Sequence, residues 1–207
     1  EEVGLPKDSF VFCCFCQNYK ITPNIFDIWM KVLKKIEGSV LWLIKDSNEG
    51  VKNLKKEAEK RGVNPDKIIF AENMPISEHL ARHKAADLFV DTFPYNAHTT
   101  ASDALWAGLP VLTLMGESFA SRVGASLLNA VGLKELITKT EKEYENLIIK
   151  IATNPKILKD TKKRLEKNRL TKPLFNTKLY TKNIESAYKK IYGSHCANLK
   201  PENIYIK

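Results

Sequence analysis

Short apolar runs alternate with amphipathic stretches along the first 140 residues, and this alternation limits the fold more than any other feature. Residues 10–16, 40–44, 68–70, 88–91 and 111–114 are brief and almost wholly apolar, as strands covered on both faces must be. Between them the spacing turns helical. In 23–36, Ile25, Ile28, Trp29, Val32, Leu33 and Ile36 recur on one face. A Lys/Glu-rich helix is expected over 51–61, closed by Gly62 as its left-handed C′ residue. A short helix over 77–83 would take Ser77 as N-cap, and two more are expected over 101–107, ended by Gly108, and 118–131. Strands alternating with helices of this length specify an α/β domain with a parallel, doubly wound sheet.

Past Thr140 the pattern changes to helices with no convincing strand, the last expected over 174–191. Charge changes at the same place. Residues 151–207 hold fourteen Lys and Arg against four Asp and Glu, whereas residues 1–150 are one negative charge from neutral. The expected organisation is one α/β domain over 1–140 with a helical C-terminal extension over 141–207 packing on it. The basic run over 156–172 reads as a solvated helix face. It would also attract an anionic surface, a phosphate ligand or nucleic acid. No interleaving of basic and aromatic residues supports the last, so nucleic acid is not an expected partner.

No window approaches the eighteen or so apolar residues of a membrane span, so no membrane partner is expected. The Glu1-Glu2 start lacks a cationic and then apolar leader, so no signal peptide is expected in this stretch. Cys13, Cys14 and Cys16 fall within the first apolar run and Cys196 stands apart. The Cys13-x-x-Cys16 spacing has no second Cys/His pair to complete a zinc site. Buried structural thiols in a reducing, cytoplasmic compartment are the expectation.

Doubly wound sheets bind ligands beyond the carboxyl ends of their strands. The polar residues there are Gln17-Asn18-Tyr19-Lys20, Glu72-Asn73-Met74-Pro75, the run from Asp91 through His98-Thr99-Thr100 to Asp103, and Met115-Gly116-Glu117-Ser118. His98-Thr99-Thr100 opens a helix after a turn-rich loop. Backbone N–H groups there, helped by two hydroxyls, would hold an anion, with Asp103 one turn in to accept from a ribose hydroxyl. Equally, Thr99 would simply cap the helix while Asp103 balances its dipole. No Gly-x-Gly-x-x-Gly and no Walker lysine is present, which disfavours a dinucleotide or P-loop enzyme. His83 and His195 read as surface histidines, Trp29, Trp42 and Trp106 as core, and Glu117 as a helix-entry carboxylate.

Three long motifs carry a family resemblance. Asp91-Thr-Phe-Pro-Tyr-Asn-Ala-His-Thr-Thr-Ala-Ser-Asp103, Leu105-Trp-Ala-Gly-Leu-Pro-Val-Leu-Thr113 and Gly116-Glu-Ser-Phe-Ala-Ser-Arg-Val123 resemble the O-linked N-acetylglucosamine (O-GlcNAc) transferases. Phe15-Cys-Gln-Asn-Tyr-Lys20, Val40-Leu-Trp-Leu43 and Pro173-Leu-Phe-Asn-Thr-Lys178 fit the same pattern, which runs from about residue 9 to 192. That family has a GT-B architecture, two Rossmann-like halves with the active site between them, usually preceded by tetratricopeptide repeats. The resemblance covers only the C-terminal, nucleotide-sugar-binding half. It implies a fragment of a longer transferase whose N-terminal catalytic half and repeats lie elsewhere.

The resemblance implies UDP-GlcNAc as donor, a protein Ser/Thr hydroxyl as acceptor, and inverting transfer without a metal or other cofactor. The absence of an Asp-x-Asp motif agrees with that. Lys20 resembles the essential lysine at the diphosphate leaving group and Gln17 its glutamine partner. His98, Thr99 and Thr100 resemble the diphosphate-binding run, with Lys20 and His98 in the catalytic roles. Asp103 resembles the ribose-binding carboxylate, His79 and Arg82 match positions beside uracil and ribose, and the Met74 backbone would lie near the base. One departure stands out: Ile76 occupies the position, three before His79, where the family often has a lysine that contacts ribose. A SPINDLY-like enzyme using GDP-fucose is the neighbouring alternative, but that type carries Thr and Glu where this chain has His98 and Asp103. A non-catalytic nucleotide-binding or scaffolding module is a further alternative, and Ile76 is its one support.

Overall fold

The computed structural model describes residues 4–206, so the Glu1-Glu2 start and Lys207, the end of the expected extension, lie outside the described residues. Six strands form one parallel sheet: β1 (Phe10–Cys14), β2 (Ser39–Ile44), β3 (Ile68–Ala71), β4 (Leu88–Val90), β5 (Val111–Leu114) and β6 (Ile137–Thr138). Their order is β3-β2-β1-β4-β5-β6. The chain steps outward from β1 to β3, crosses back, and steps outward again from β4 to β6. Connections leaving β1 and β4 therefore diverge, and a crevice opens at the carboxyl ends of those two strands.

Among the described residues there are eight α-helices: α1 (Pro23–Lys35), α2 (Asn48–Lys60), α3 (Ile76–Arg82), α4 (Thr99–Ala107), α5 (Val123–Val131), α6 (Glu141–Ala152), α7 (Pro155–Thr171) and α8 (Thr177–Cys196). Right-handed crossovers place α1 and α2 on one face of the sheet and α3, α4 and α5 on the other, where α4 meets both its neighbours. From the last strand the chain returns to the first face, since α6 packs on α1, and α7 then leans on α4, α5 and α6. Trp42, Phe12, Phe89, Leu41 and Leu88 are sealed from solvent in the core.

Local chemistry sets most boundaries. Ser47 accepts from the Gly50 N–H at the start of α2, and Gly62 at φ 70° ends it. Thr140, Asn154 and Asn176 cap α6, α7 and α8 in the same way. Several expectations need correction. Ser77 is not an N-cap, because α3 already begins at Ile76 after Pro75. The expected 118–131 helix begins only at Val123, since the Ser118 and Ser121 hydroxyls bond each other and hold that stretch in a turn. The closing helix starts at Thr177, after a 3-10 turn over Pro173–Phe175, and β6 had no strand signal because it is two residues long. Trp106 is 47 % exposed on the outer face of α4, edge-on to Phe175, and is not core. His83 is fully buried, because a 3-10 turn folds it beneath α3 against Phe15. Cys13, Cys14 and Cys16 are buried free thiols, and Cys196 is exposed. No helix among the described residues is long and apolar enough to cross a membrane.

One buried carboxylate ties these layers together. Asp91, fully buried at the end of β4, accepts from the Thr92 N–H (2.8 Å), the Ala97 N–H (2.6 Å) and the Thr113 hydroxyl (2.6 Å). Its carbonyl accepts from the Tyr144 hydroxyl (2.8 Å), which itself accepts from the Trp29 indole N–H (3.2 Å). The network joins α1, α6, β4, β5 and the loop before α4. Gly124, in the first turn of α5, approaches it so closely that a Cβ would lie 2.6 Å from Thr113 Oγ1 and 2.7 Å from Asp91 Oδ2. Neither atom is the free end of a flexible side chain. Gly124→Ala should therefore destabilise the fold by about 1–3 kcal/mol, lowering the urea midpoint at unchanged slope. An unaltered midpoint would show that the network can shift.

Candidate functional site

The segments that leave β1 and β4 fold toward each other across the crevice. After β1 the chain makes a 3-10 turn over Asn18–Lys20. After β4 it loops from Asp91 to His98 and enters α4. Three contacts stitch the sides together: the Thr22 hydroxyl donates to the Phe93 carbonyl (2.9 Å), Cys16 Sγ lies 3.5 Å from Thr100 Oγ1, and Lys20 Nζ donates to the Asn96 carbonyl (3.2 Å). Lys20 Nζ also sits 3.8 Å above the centre of the Tyr95 ring. Among the described residues no carboxylate pairs with it. Gln17 is exposed at the rim, and its carbonyl accepts from the Lys20 N–H (3.0 Å).

Facing that ammonium is the start of α4. His98 occupies the N-cap position and no side chain caps the helix. The Ser102 N–H is the first to turn back, to the His98 carbonyl (3.1 Å). Thr99 lies inside the helix as its first residue, so it is not the cap that the structural alternative required. The N–H groups of Thr99, Thr100 and Ala101 precede the first helical bond and have no acceptor within the helix, which leaves a partial positive charge at the helix start. The His98 ring is held by Nε2 against the Ala120 carbonyl (3.3 Å) and lies between Tyr95 and Phe119. Asn96, fully buried, pins this loop: its amide donates to the Thr92 and Leu114 carbonyls, and its own N–H to Ala120. Below, burial and a hydrogen-bonded neighbour act oppositely on the Cys16 thiol. The bond with Cys14 is the larger effect, and bonds to Thr100 and Thr92 add to it, lowering the pKa to about 7.

A second group lies on the β1 side, linked to the first through Phe15, which follows β1. Arg82 is 5 % exposed, with its guanidinium over the Phe15 ring at 4.4 Å. It donates to the Glu72 carbonyl (2.7 Å) and to His79 Nδ1 (2.5 Å). An arginine can only donate, so His79 Nδ1 accepts and its proton sits on Nε2. Burial, then the charges of Arg82 and His83, lower the His79 pKa to about 4. His83 donates from Nδ1 to the His79 carbonyl (2.8 Å), and its Nε2 is buried without a partner among the described residues. Asp103 is half-buried nearby. Burial raises its pKa and the field of His83 opposes that rise. Met74 is half-buried in the loop between β3 and α3, and Ile76 is 64 % exposed.

The structure thus brings Lys20, His98, Thr99 and Thr100 together where the chain leaves β1 and β4, and gathers His79, Arg82 and His83 in a second, largely buried group against Phe15, with Asp103 nearby. Asp91, Tyr95 and Asn96 escaped the sequence reading as functional positions, although all three lie in the motif that drew attention to His98. Phe119, 82 % exposed beside His98, also lines a cavity of about 710 Å³ with Glu117 and Arg122. The basic residues of α7 fall elsewhere, around a groove with Lys84 and Gly108.

With this geometry in view, comparisons with known proteins are specific. The model of Glycosyl transferase family 41 matches residues 1–184. The chain is 40% identical over 206 residues to the probable UDP-N-acetylglucosamine--peptide N-acetylglucosaminyltransferase SEC of Arabidopsis thaliana, covering 99% of this chain and 21% of that protein. It is 34% identical to the UDP-N-acetylglucosamine--peptide N-acetylglucosaminyltransferase of Caenorhabditis elegans, covering 97% and 17%. The chain therefore spans about a fifth of the length of these relatives. A solved variant of the Thermobaculum terrenum O-GlcNAc transferase superposes with a TM-score of 0.87 at 29% identity, covering 93% of this chain and 39% of that one. The architecture is that of one half of a GT-B glycosyltransferase.

His79 gives this arrangement a titration signature. Its folded pKa lies below the ~6.5 of an unfolded histidine, so the unfolded chain takes up the proton first. His79 should add to stability above pH 6.5, and that contribution should be lost as pH falls toward 4. Ring-nitrogen NMR at pH 6 should show a neutral His79 protonated on Nε2, and His79→Gln should flatten the fall in denaturation midpoint between pH 7 and 4.5. An imidazolium at pH 6 would contradict the Arg82 contact.

Proposed function

The chain belongs to glycosyl transferase family 41, and from that premise we propose that it is the donor-binding half of a protein O-glycosyltransferase. The donor in this reading is UDP-GlcNAc and the acceptor a Ser or Thr hydroxyl of a protein, as the names of its relatives suggest. The observation that carries the reading is the meeting of an unpaired lysine and an uncapped helix start at the switch point of the sheet. Lys20 reaches across from the β1 side to within 3.2 Å of the Asn96 carbonyl, two residues before His98 and the uncapped start of α4. A diphosphate between them meets one full positive charge and the N–H groups of Thr99 and Thr100.

Transfer from a nucleotide sugar breaks the bond from the anomeric carbon to the β-phosphate oxygen. Positive charge develops on the sugar ring and negative charge on the departing diphosphate. Groups fixed in advance where that charge develops lower the barrier without reorganising during the reaction. Lys20 and the α4 N–H groups are such groups, His98 supplies a further polar contact, and no metal is needed in this account. Displacement by the acceptor hydroxyl from the opposite face inverts the anomeric centre. Asp103 takes a ribose hydroxyl, and the His79 Nε2–H, fixed by Arg82, donates toward the nucleoside, with the Met74 backbone near the base. Activation of the acceptor hydroxyl falls to the part of the longer protein beyond this chain, an N-terminal catalytic half preceded by tetratricopeptide repeats. The isolated 207 residues should therefore bind UDP and transfer sugar poorly or not at all.

Calorimetric titration should show UDP preferred over GDP. Lys20→Ala and His98→Ala should each weaken UDP by roughly 1.5–3 kcal/mol, the worth of a charge-assisted contact. Equal binding of GDP would favour a SPINDLY-like donor. Efficient sugar transfer to a peptide by this chain alone would overturn the division of labour.

A further inference from the structure

Lys20 poses a problem that the motif alone does not solve. A lysine side chain has many rotamers, and an ammonium at a crevice mouth is free to wander or to pair with a passing carboxylate. Here it does neither. It is held by two neutral partners, the Asn96 carbonyl at 3.2 Å and the face of the Tyr95 ring at 3.8 Å. Both partners are electron-rich and neither carries a charge, so the ammonium stays fixed with its charge uncancelled. Two further rings lie near Tyr95. Tyr19 lies edge-on at 6.3 Å and the His98 ring is 5.1 Å away. Its carbonyl accepts from the Thr92 hydroxyl (2.6 Å), a bond that any residue at this position would supply. The ring is 40 % exposed, so its place in the crevice is not a requirement of the core.

We infer that Tyr95 is the positioning residue for Lys20: its ring holds the ammonium by a cation–π contact at the spot where the diphosphate of the donor arrives, and the same ring packs beside His98 on the other side of that spot. This inference rests on the nucleotide-sugar reading above. The aromatic face is what matters and the phenol hydroxyl is not. A cation over an aromatic face is stabilised most where water is excluded, and a fixed cation lowers the ordering cost of binding an anion.

The test compares the unmodified chain with Tyr95→Phe, which keeps the ring, and Tyr95→Leu, which keeps comparable bulk without the ring's electrostatics. Two ligands are titrated: UDP, and uridine, which has no phosphates. Tyr95→Leu should weaken UDP about 5- to 10-fold, the size of one partly desolvated cation–π contact, and leave uridine unchanged. Tyr95→Phe should match the unmodified chain for both ligands. All three should melt at nearly the same temperature, which separates positioning from folding. A second measurement needs no ligand: a proton on the Lys20 ε-methylene under an aromatic ring is shifted upfield in the NMR spectrum. That shift should be present in the unmodified chain and in Tyr95→Phe, and lost in Tyr95→Leu. Equal UDP affinity in Tyr95→Leu, or an unshifted Lys20 in the unmodified chain, overturns the inference. Failure of the unmodified chain to bind UDP while Lys20 remains shifted overturns the donor assignment and leaves the Lys20–Tyr95 contact standing.

Discussion

The buried carboxylate of Asp91 is the interaction on which the rest of the crevice depends. It sits where β4 ends, out of reach of water, and it is tolerable there only because three donors surround it. Two of those donors are backbone N–H groups of the very loop that must deliver His98 to the mouth of the crevice. The third, Thr113, fixes β5 beside it, and Gly124 leaves room for α5 to close over the pair. Burial, with Cys16 adding to it, holds the Asp91 pKa well above the usual carboxylate range, and the three donors offset only part of that rise, so any loosening of the loop removes what offset there is. The loop shape is thereby over-determined, and the uncapped start of α4 follows from it.

The opposite side of the crevice obeys a different rule. There the important group is a cation that meets no carboxylate among the described residues. Some lysines elsewhere in the molecule pair with carboxylates, as Lys35 does with Glu145, Lys45 with Glu72, and Lys162 with Asp87. Lys20 meets a carbonyl and a ring. An anion arriving in the crevice therefore replaces no existing ion pair and gains the full attraction. Arg82 acts in the second group at one remove. Its buried guanidinium fixes the tautomer of His79, and burial together with its field keeps that ring neutral.

Much of this was legible in the sequence. Strand–helix alternation gave the parallel sheet, and the polar residues at strand ends gave the crevice, because in such sheets the site is dictated by topology. What was not legible depends on contacts between distant segments. Trp106 follows the apolar period of α4 yet lies outward, because α7 and the turn at Phe175 cover only part of that face. His83 has no sequence partner and is buried by a turn that no local signal marks. Ser118 reads as a helix start, but its hydroxyl serves Ser121 in a turn. Tyr95 lies among turn residues, and only the fold shows that Lys20, 75 positions earlier, rests on its ring. Short-range pattern finds elements, and charge placement across a crevice is a property of the assembled fold.

A crystal structure of this chain with UDP bound would test the central claim most directly. The account predicts the diphosphate at the start of α4, with oxygens accepting from the Thr99 and Thr100 N–H groups and from Lys20 Nζ, and the ribose toward Asp103. A nucleotide seated elsewhere, such as the basic groove beside α7, or one whose phosphates avoid Lys20, would contradict it.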